Sequence, residues 1–207
     1  MPVYPTAIYS NNYTDFNDIF KYMRENYHRP NLVRSNIISV SASTIADFYA
    51  LERTSPDVIF TEPYYGRFIT QDVPDIPNLT ISFKKSYINL TSYTIYVRHN
   101  RLMKSWDLFG KTESTDWTLI DRRQNQIFYK DPTNTSNFII NCTCLYPAPY
   151  TDFLFNLTRP DNLNNNIISI SRLFFFGNYF PFDYVCTYNK LYFPNFNILL
   201  IFIFILI

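Results

Sequence analysis

The segment KSWDLFGKTESTDWTLIDRR, residues 104–123, decides the fold, because it contains two β-rich runs and both tryptophans of the chain. The first run ends at Gly110, a polar turn follows over 111–116, and Trp117 opens the second run. This pattern is typical of a β-hairpin, in which aromatic cross-strand packing usually belongs to a core. The segment therefore predicts two antiparallel strands, with Trp106 and Trp117 as framework residues facing inward.

Similar short β-rich runs recur from residue 37 onward, separated by turn residues and not interrupted by any long helical pattern. Alternation of apolar and polar residues is clearest in 80–83 and 93–99, as expected for half-buried strands. The predicted strands are 37–43, 57–60, 78–84, 92–99, 106–111, 117–123, 136–143, 151–158 and 167–177. This series predicts an all-β fold, an antiparallel sandwich or barrel.

A short amphipathic helix is predicted over 15–27, ahead of the strands. Its apolar residues recur at helical spacing, and two acids lie in its first turn, where they favour a helix N-terminus. These apolar residues are Phe16, Ile19, Phe20 and Met23. Pro30 then ends the helix, because proline lacks the backbone N–H that a helix needs.

The apolar end of the chain, NILLIFIFILI at 197–207, has eleven residues, whereas a helix needs about twenty to cross a bilayer. Upstream extension meets Pro194 and Asn195. The sequence therefore favours a buried strand or a disordered, aggregation-prone end, with a membrane anchor as the alternative.

Composition argues against several functions. With 18 basic and 17 acidic residues there is no basic block to follow a phosphate backbone, so nucleic acid is not an expected partner. Two histidines and no recognisable catalytic constellation rank an enzyme last. The three cysteines are interpreted as reduced, inert thiols, and the N-terminus lacks a secretory signal, which predicts a cytoplasmic location.

Two polar loops carry most of the candidate ligand-binding residues. The first loop is EPYYGRFITQD, residues 62–72, where tyrosine rings can stack on a sugar face and an arginine can donate hydrogen bonds. The second loop is RHNRLMK, residues 98–104, where a polar cluster can bind a carboxylate, a phosphate or a hydroxyl. The simpler interpretation of 62–72 is an ordinary loop with its tyrosines packed on the domain edge, and that of 98–104 is a solvated turn. The candidates are Tyr64, Tyr65, Arg67, Arg98, His99, Asn100 and Arg101, together with Asp47 and Tyr49 from an earlier loop.

The hairpin resembles the discoidin, or coagulation factor 5/8 C-terminal type, family of the galactose-binding-like superfamily, in the form found in BTB-associated proteins. That pattern, K-S-W-x-L-x-G-S-x-D-G-x-x-W-x-x-I-D, is matched by Lys104, Ser105, Trp106, Leu108, Gly110, Trp117, Ile120 and Asp121. A second block, ISISRLFFFG at 168–177, is similar to the family's C-terminal strand, and the resemblance covers about residues 16–177. The chain departs from the family at 113–116, where an Asp-Gly turn is replaced, and at Leu154 and Arg159.

The resemblance implies an eight-stranded jelly-roll sandwich whose loops at one end recognise sugars, phospholipid heads or proteins, without catalysis. The framework residues that it implies are Trp106, Gly110, Trp117 and Gly177. It implies no cofactor. Calcium is the alternative, because some related sandwich domains use it. We expect an N-terminal extension with a helix at 1–35, a discoidin-like domain at 36–177 and an extension at 178–207. The predicted function is a non-catalytic module that binds a protein or a carbohydrate; the alternative is a membrane-associated β-domain anchored by its apolar tail.

Overall fold

The computed structural model describes residues 18–46, 55–60, 66–98, 101–131 and 137–182. Helix α1 spans Ile19–Tyr27. The described strands are β1 (Ile38–Ala42), β2 (Phe68–Ile69), β3 (Asn78–Phe83), β4 (Ser86–Arg98), β5 (Ser105–Lys111), β6 (Thr118–Arg123), β7 (Tyr129–Lys130), β8 (Asn137–Thr143), β9 (Pro149–Tyr150), β10 (Asp152–Arg159), β11 (Ser169–Ile170) and β12 (Arg172–Pro181).

These strands form an antiparallel β-sandwich, as the sequence predicts. One sheet has the order β1-β3-β10-β5-β6. The other has the order β12-β4-β8-β7, with β9 paired to β4, and β2 and β11 form a small pair of their own. Within the described residues, eight strands (β1, β3, β4, β5, β6, β8, β10 and β12) have five or more residues and the other four have two.

Side-chain alternation places the core between the two sheets. In β3, Leu79, Ile81 and Phe83 are buried while the intervening Asn78, Thr80 and Ser82 are only partly buried. This is the pattern of a strand with one face on a core. An aromatic cluster from helix and strands fills the interior: the Phe175 ring centroid lies 5.0 Å from that of Phe20 and 5.3 Å from that of Phe153.

Helix α1 packs into this core through Ile19, Phe20 and Met23. Asp18 caps its N-terminus, with Oδ1 accepting from the Phe20 N–H (3.2 Å) and Oδ2 from the Lys21 N–H (3.0 Å). The same Oδ1 accepts from the Phe175 N–H of β12 (3.0 Å), so one carboxylate joins helix and sheet. The helix therefore packs on the same core as the strands, and β12 continues to Pro181, while the expected domain limits 36–177 stay a prediction.

Two strand predictions differ from the structure. The predicted strand 57–60 is a 3₁₀ helix, Pro56–Phe60, because a proline at the first helical position loses no hydrogen bond and its fixed φ favours helical geometry. Strand β4 begins at Ser86, six residues before the predicted start at 92. Its first half pairs with β9 and with the end of β12, long-range contacts that local patterning does not reveal.

The two predicted framework tryptophans differ in environment. Trp106 is 1% exposed, and its Nε1 donates to the Tyr93 hydroxyl (2.8 Å), which donates to Asp121 Oδ2 (2.8 Å). Trp117 is 37% exposed and lies outside the core, with Lys111 Nζ 4.8 Å from its ring centroid. The inward orientation expected of Trp117 is therefore wrong, because the pairing of β5 with β6 ends before it is reached.

The hydroxyl of Tyr93 connects the two sheets, since Tyr93 is in β4 whereas Trp106 and Asp121 are in β5 and β6. Arg123 Nε also donates to Asp121 Oδ2 (2.6 Å), which pairs the buried carboxylate with a cation. Burial and the nearby Asp121 carboxylate raise the pKa of Tyr93 well above its ordinary value, so the phenol stays neutral and keeps donating. This network fixes the sheets to each other.

Candidate functional site

One end of the sandwich collects the predicted binding loops, and we call it the loop end. The strand registers place the last residues of β1, β4 and β10 beside the first residues of β3, β8 and β5, so the segments that connect them meet at that end. The Ala46 N–H donates to the Ile69 oxygen (3.0 Å), and the Gln71 N–H donates to Thr44 Oγ1 (3.1 Å). The loop after β1 and the 62–72 loop therefore touch.

Several predicted binding residues lie outside the described residues: Asp47, Tyr49, Tyr64, Tyr65, His99 and Asn100. Only the backbone of Arg98, at the end of β4, is described. Arg67 is partly buried just before β2, and Arg101 lies in the loop between β4 and β5. The geometry of the candidate site is therefore built from Arg101 and its neighbours.

The Arg101 guanidinium lies between two acidic loops, with 36% of its side chain exposed. With the Asn165 amide oriented to satisfy both of its neighbours, its oxygen accepts from Arg101 Nη1 (3.0 Å) and its nitrogen donates to Asp72 Oδ2 (2.8 Å). Arg101 Nη1 also lies 3.9 Å from Asp161 Oδ2. The arginine is thus oriented by an amide and a carboxylate while part of it faces solvent.

Backbone hydrogen bonds hold this cluster in place. Asp161 Oδ1 accepts from the N–H groups of Leu163 (2.8 Å) and Asn165 (3.0 Å), which folds the 161–166 loop around the carboxylate. Asp72 Oδ1 accepts from the Asn166 N–H (2.8 Å), joining that loop to the 62–72 loop. Because backbone N–H groups of the 161–166 loop hold both carboxylates, the site needs little reordering to bind.

Asp161 is almost completely buried, and its Oδ2 has no hydrogen-bond partner among the described residues. Its charge is balanced mainly by Arg101, whose guanidinium is close but not within hydrogen-bond distance. A buried carboxylate that loses the cation paired with it is strongly destabilised. Arg101 therefore stabilises the loop end as well as exposing donors there.

Sequence reasoning missed Asp72, Asp161 and Asn165 as site residues. The asparagine-rich run DNLNNN at 161–166 was the available signal, because Asn and Asp side chains bond to nearby backbone and build such loops. It carried no visible relation to Arg101, which is 60 positions before Asp161 in the chain and reaches it only through the sandwich.

The described residues hold no group of three or more His, Cys, Asp or Glu side chains that could bind a metal ion, and the calcium alternative stays a prediction. Cys142, in β8, and Cys144, just after it, are free and buried, and Cys186 lies outside the described residues. Burial raises the pKa of Cys142 to about 11 and that of Cys144 further still, so neither forms a reactive thiolate near neutral pH.

Among the helices of the described segments, none is long and apolar enough to cross a membrane. The apolar tail at 197–207, which carries the membrane alternative, lies outside those segments.

The fold is similar to solved carbohydrate-binding modules. The module CpGH89CBM32-5 from Clostridium perfringens, in complex with GalNAc-β-1,3-galactose, has a TM-score of 0.52 at 11% identity over 70% of this chain and 99% of that chain. CBM32-3 from a family 31 glycoside hydrolase of Clostridium perfringens has a TM-score of 0.53 at 13% identity, over 70% and 93%. Chitosan-binding module 1 from a chitosanase/glucanase of Paenibacillus sp. IK-5 has a TM-score of 0.52 at 12% identity, over 68% and 96%.

The sequence matches no protein-family model and no curated protein. Family 32 carbohydrate-binding modules share the galactose-binding-like fold with discoidin domains, so the fold implied by the resemblance is confirmed. At this level of identity the similarity shows the fold alone, and membership of the discoidin family in particular stays a prediction.

Proposed function

We propose that this chain is a non-catalytic carbohydrate-binding module that recognises its ligand at the loop end. The observation that carries the proposal is the Arg101 cluster: a partly exposed guanidinium fixed by Asn165, with the Asp72 carboxylate on the other side of the same amide. An arginine presents several N–H donors in one plane, and a carboxylate accepts from hydroxyl groups. Neighbouring hydroxyls of a sugar ring need this combination of donors and acceptors.

The fold supports the same conclusion. A sandwich whose loops converge at one end offers a rigid support for binding residues, and one of its structural neighbours is in complex with GalNAc-β-1,3-galactose. Tyr64 and Tyr65, which lie outside the described residues, precede Asp72 in the same segment of the sequence, and their predicted role is to stack on the apolar side of a sugar. We therefore place a sugar-binding site on the loops at 62–72, 98–104 and 161–166.

The test measures binding of the intact protein to a panel of simple galactose-type and glucose-type sugars. Binding is monitored by heat unfolding and by isothermal titration calorimetry. Binding to the native state alone raises the unfolding midpoint with ligand concentration. Arg101→Lys keeps the charge beside Asp161 but loses the planar donor group. We therefore expect this variant to fold and to lose sugar affinity by about tenfold or more.

Arg34→Lys is the matched control, since Arg34 makes one ion pair with Asp57 (3.8 Å) in the loop before β1, away from the loop end. We expect it to bind like the unchanged protein. If no sugar raises the midpoint of the folded protein, carbohydrate recognition is refuted and protein recognition by the same loops takes its place. If sugar binds but Arg101→Lys binds equally well, the function stands and the assigned site is wrong.

A further inference from the structure

A second concave surface lies at the free side of the four-stranded sheet, where β7 meets β8. It is a groove of about 670 Å³ lined by the loop before β7 and by the middle of β8. Its lining includes two exposed apolar side chains, Tyr129 (70% exposed) and Ile127 (72% exposed). Its polar groups come from Asn125, Lys130 and Asn141. The groove shares no lining residue with the Arg101 cluster.

The groove exists because β7 is shorter than β8. The Asp131 N–H donates to the Asn137 oxygen, and Tyr129 pairs with Ile139. The backbone N–H and C=O groups of the odd-numbered residues of β8 therefore point toward β7. The Cys144 N–H donates to Thr91 of β4, in agreement with this alternation. Asn141 is the next odd-numbered residue, but β7 does not extend to it in the described structure, so its backbone polar groups face the groove.

The loop that forms the other wall is held rigidly. The Gln126 N–H donates to the Lys104 oxygen (2.8 Å), and the Asn125 N–H donates to Ser105 Oγ (3.0 Å). Asn125 has a φ of 50°, a left-handed conformation that asparagine tolerates better than most residues. These bonds tie the loop to the start of β5, so the groove is preformed.

The lining has the chemistry of a sugar site. The exposed ring of Tyr129 offers a flat apolar surface against which the C–H face of a sugar ring can pack. Asn141 Oδ1 accepts from Thr94 Oγ1 (2.8 Å), which fixes the amide and leaves its NH₂ group as a donor. A few oriented polar groups beside an aromatic side chain are typical of small-molecule sites.

The ends of the groove decide between a sugar and a peptide strand. Along β8 the opening is bounded by the pairing of Tyr129 with Ile139 on one side. On the other, the Arg123 guanidinium donates to the Thr143 oxygen. From Ile139 to Thr143 a strand advances only about 13 Å. An added peptide strand would collide with both boundaries, whereas a mono- or disaccharide fits between them.

We infer that the groove between the loop before β7 and the middle of β8 is a second carbohydrate site, which takes a neutral or acidic hexose unit stacked on Tyr129 and hydrogen-bonded to Asn141. Among the described lining residues Lys130 is the one charged side chain, so a sugar carboxylate is favoured and a protonated amino sugar is disfavoured. This site goes beyond the proposed loop-end site and stands independently of it.

The experiment is ¹⁵N-resolved NMR titration of the intact protein with methyl β-galactoside, galacturonic acid and glucosamine at millimolar concentrations. We expect the first two sugars to shift the backbone amides of 125–130 and 139–141, with glucosamine the weakest ligand. Tyr129→Ala removes an exposed ring and should weaken these shifts about tenfold or more, whereas Tyr129→Phe should retain them. Tyr146→Ala, which removes another exposed tyrosine away from the groove, is the matched control.

Shifts in the groove that persist in Arg101→Lys would support a site independent of the loop end. The inference is overturned if neither galactoside nor galacturonate shifts the groove amides, or if Tyr129→Ala and Tyr146→Ala behave alike. Preferential binding of glucosamine would overturn the role assigned to Lys130. Failure of the loop-end proposal would appear separately, as unchanged binding in Arg101→Lys or as no response of the 161–166 amides.

Discussion

Gly177→Ala tests the framework role that the sequence assigns to this glycine. Gly177 lies in β12 where the register with β4 shifts, so that Phe176 pairs with Ser92 but Gly177 pairs with Leu90, and Thr91 is the extra residue. Its φ is 148°, in a region that residues other than glycine rarely adopt. An alanine Cβ would lie 2.0 Å from the backbone oxygen of Asn89.

The expected cost follows from two separate penalties. Holding alanine at this φ costs about 1–3 kcal/mol. Relieving the clash costs about 1–3 kcal/mol more, because the group it meets is a backbone carbonyl within a paired strand. We therefore expect Gly177→Ala to lower the free energy of unfolding by about 4 kcal/mol, which is a large part of the 5–15 kcal/mol typical of a domain.

The assay is urea unfolding followed by circular dichroism, with Gly66→Ala as the matched control. At Gly66 no positive φ is required, and a Cβ would lie 3.0 Å from the Val58 Cβ, a contact that a shift of a few tenths of an ångström relieves. The control should lose no more than about 1 kcal/mol. Equal effects of the two substitutions would refute the reasoning, because they would show that the bulge in β4 does not depend on glycine.

Two further predictions concern buried polar groups. Tyr93→Phe leaves the Trp106 N–H and the Asp121 carboxylate without a shared partner, so urea unfolding should show a loss of about 2–4 kcal/mol; a loss below 1 kcal/mol would mean that water replaces the hydroxyl. Burial raises the pKa of Asp18 from 3.8 to about 7. Between these two pH values the folded protein therefore holds a proton that the unfolded chain has lost. The resulting contribution to stability is complete below pH 3.8 and is lost as the pH rises through 7. Unfolding free energies at pH 4.5 and 7.5 should therefore fall with pH in the unchanged protein relative to Asp18→Asn, and parallel pH profiles of the two proteins would contradict this.

Local sequence patterns were sufficient to predict those helices and strands that form through contacts between residues close together in the chain. The helix was predictable because apolar residues at helical spacing and an N-terminal acid act within one turn, and α1 begins after the Asp18 cap. The alternation in 78–84 was sufficient for β3 for the same reason. Pro56 had the opposite effect on 57–60, since a β-rich composition could not outweigh a proline that favours a helical start.

The candidate site was less predictable, because its contacts join distant parts of the chain. Arg101 was recognised as a binding candidate from its loop, but Asp161 and Asn165, which orient it, come from a loop on the far side of β10. The groove at Tyr129 depends on β7 beginning only at Tyr129, which leaves Asn141 of β8 without a partner in β7 and is a property of strand pairing. No local pattern around Tyr129 records where its partner strand continues.

The sequence by itself determined the fold class, the short helix, most of the strands and the loops that carry polar and aromatic residues. These depend on periodicity, turn residues and proline, which act over a few residues. Only the tertiary structure decided that Trp106 is buried while Trp117 is exposed, that one Asp18 carboxylate serves both helix and sheet, and which loops meet at Arg101. The physical reason is that burial and charge pairing depend on distances in space, and in an antiparallel sandwich strands far apart in sequence set those distances.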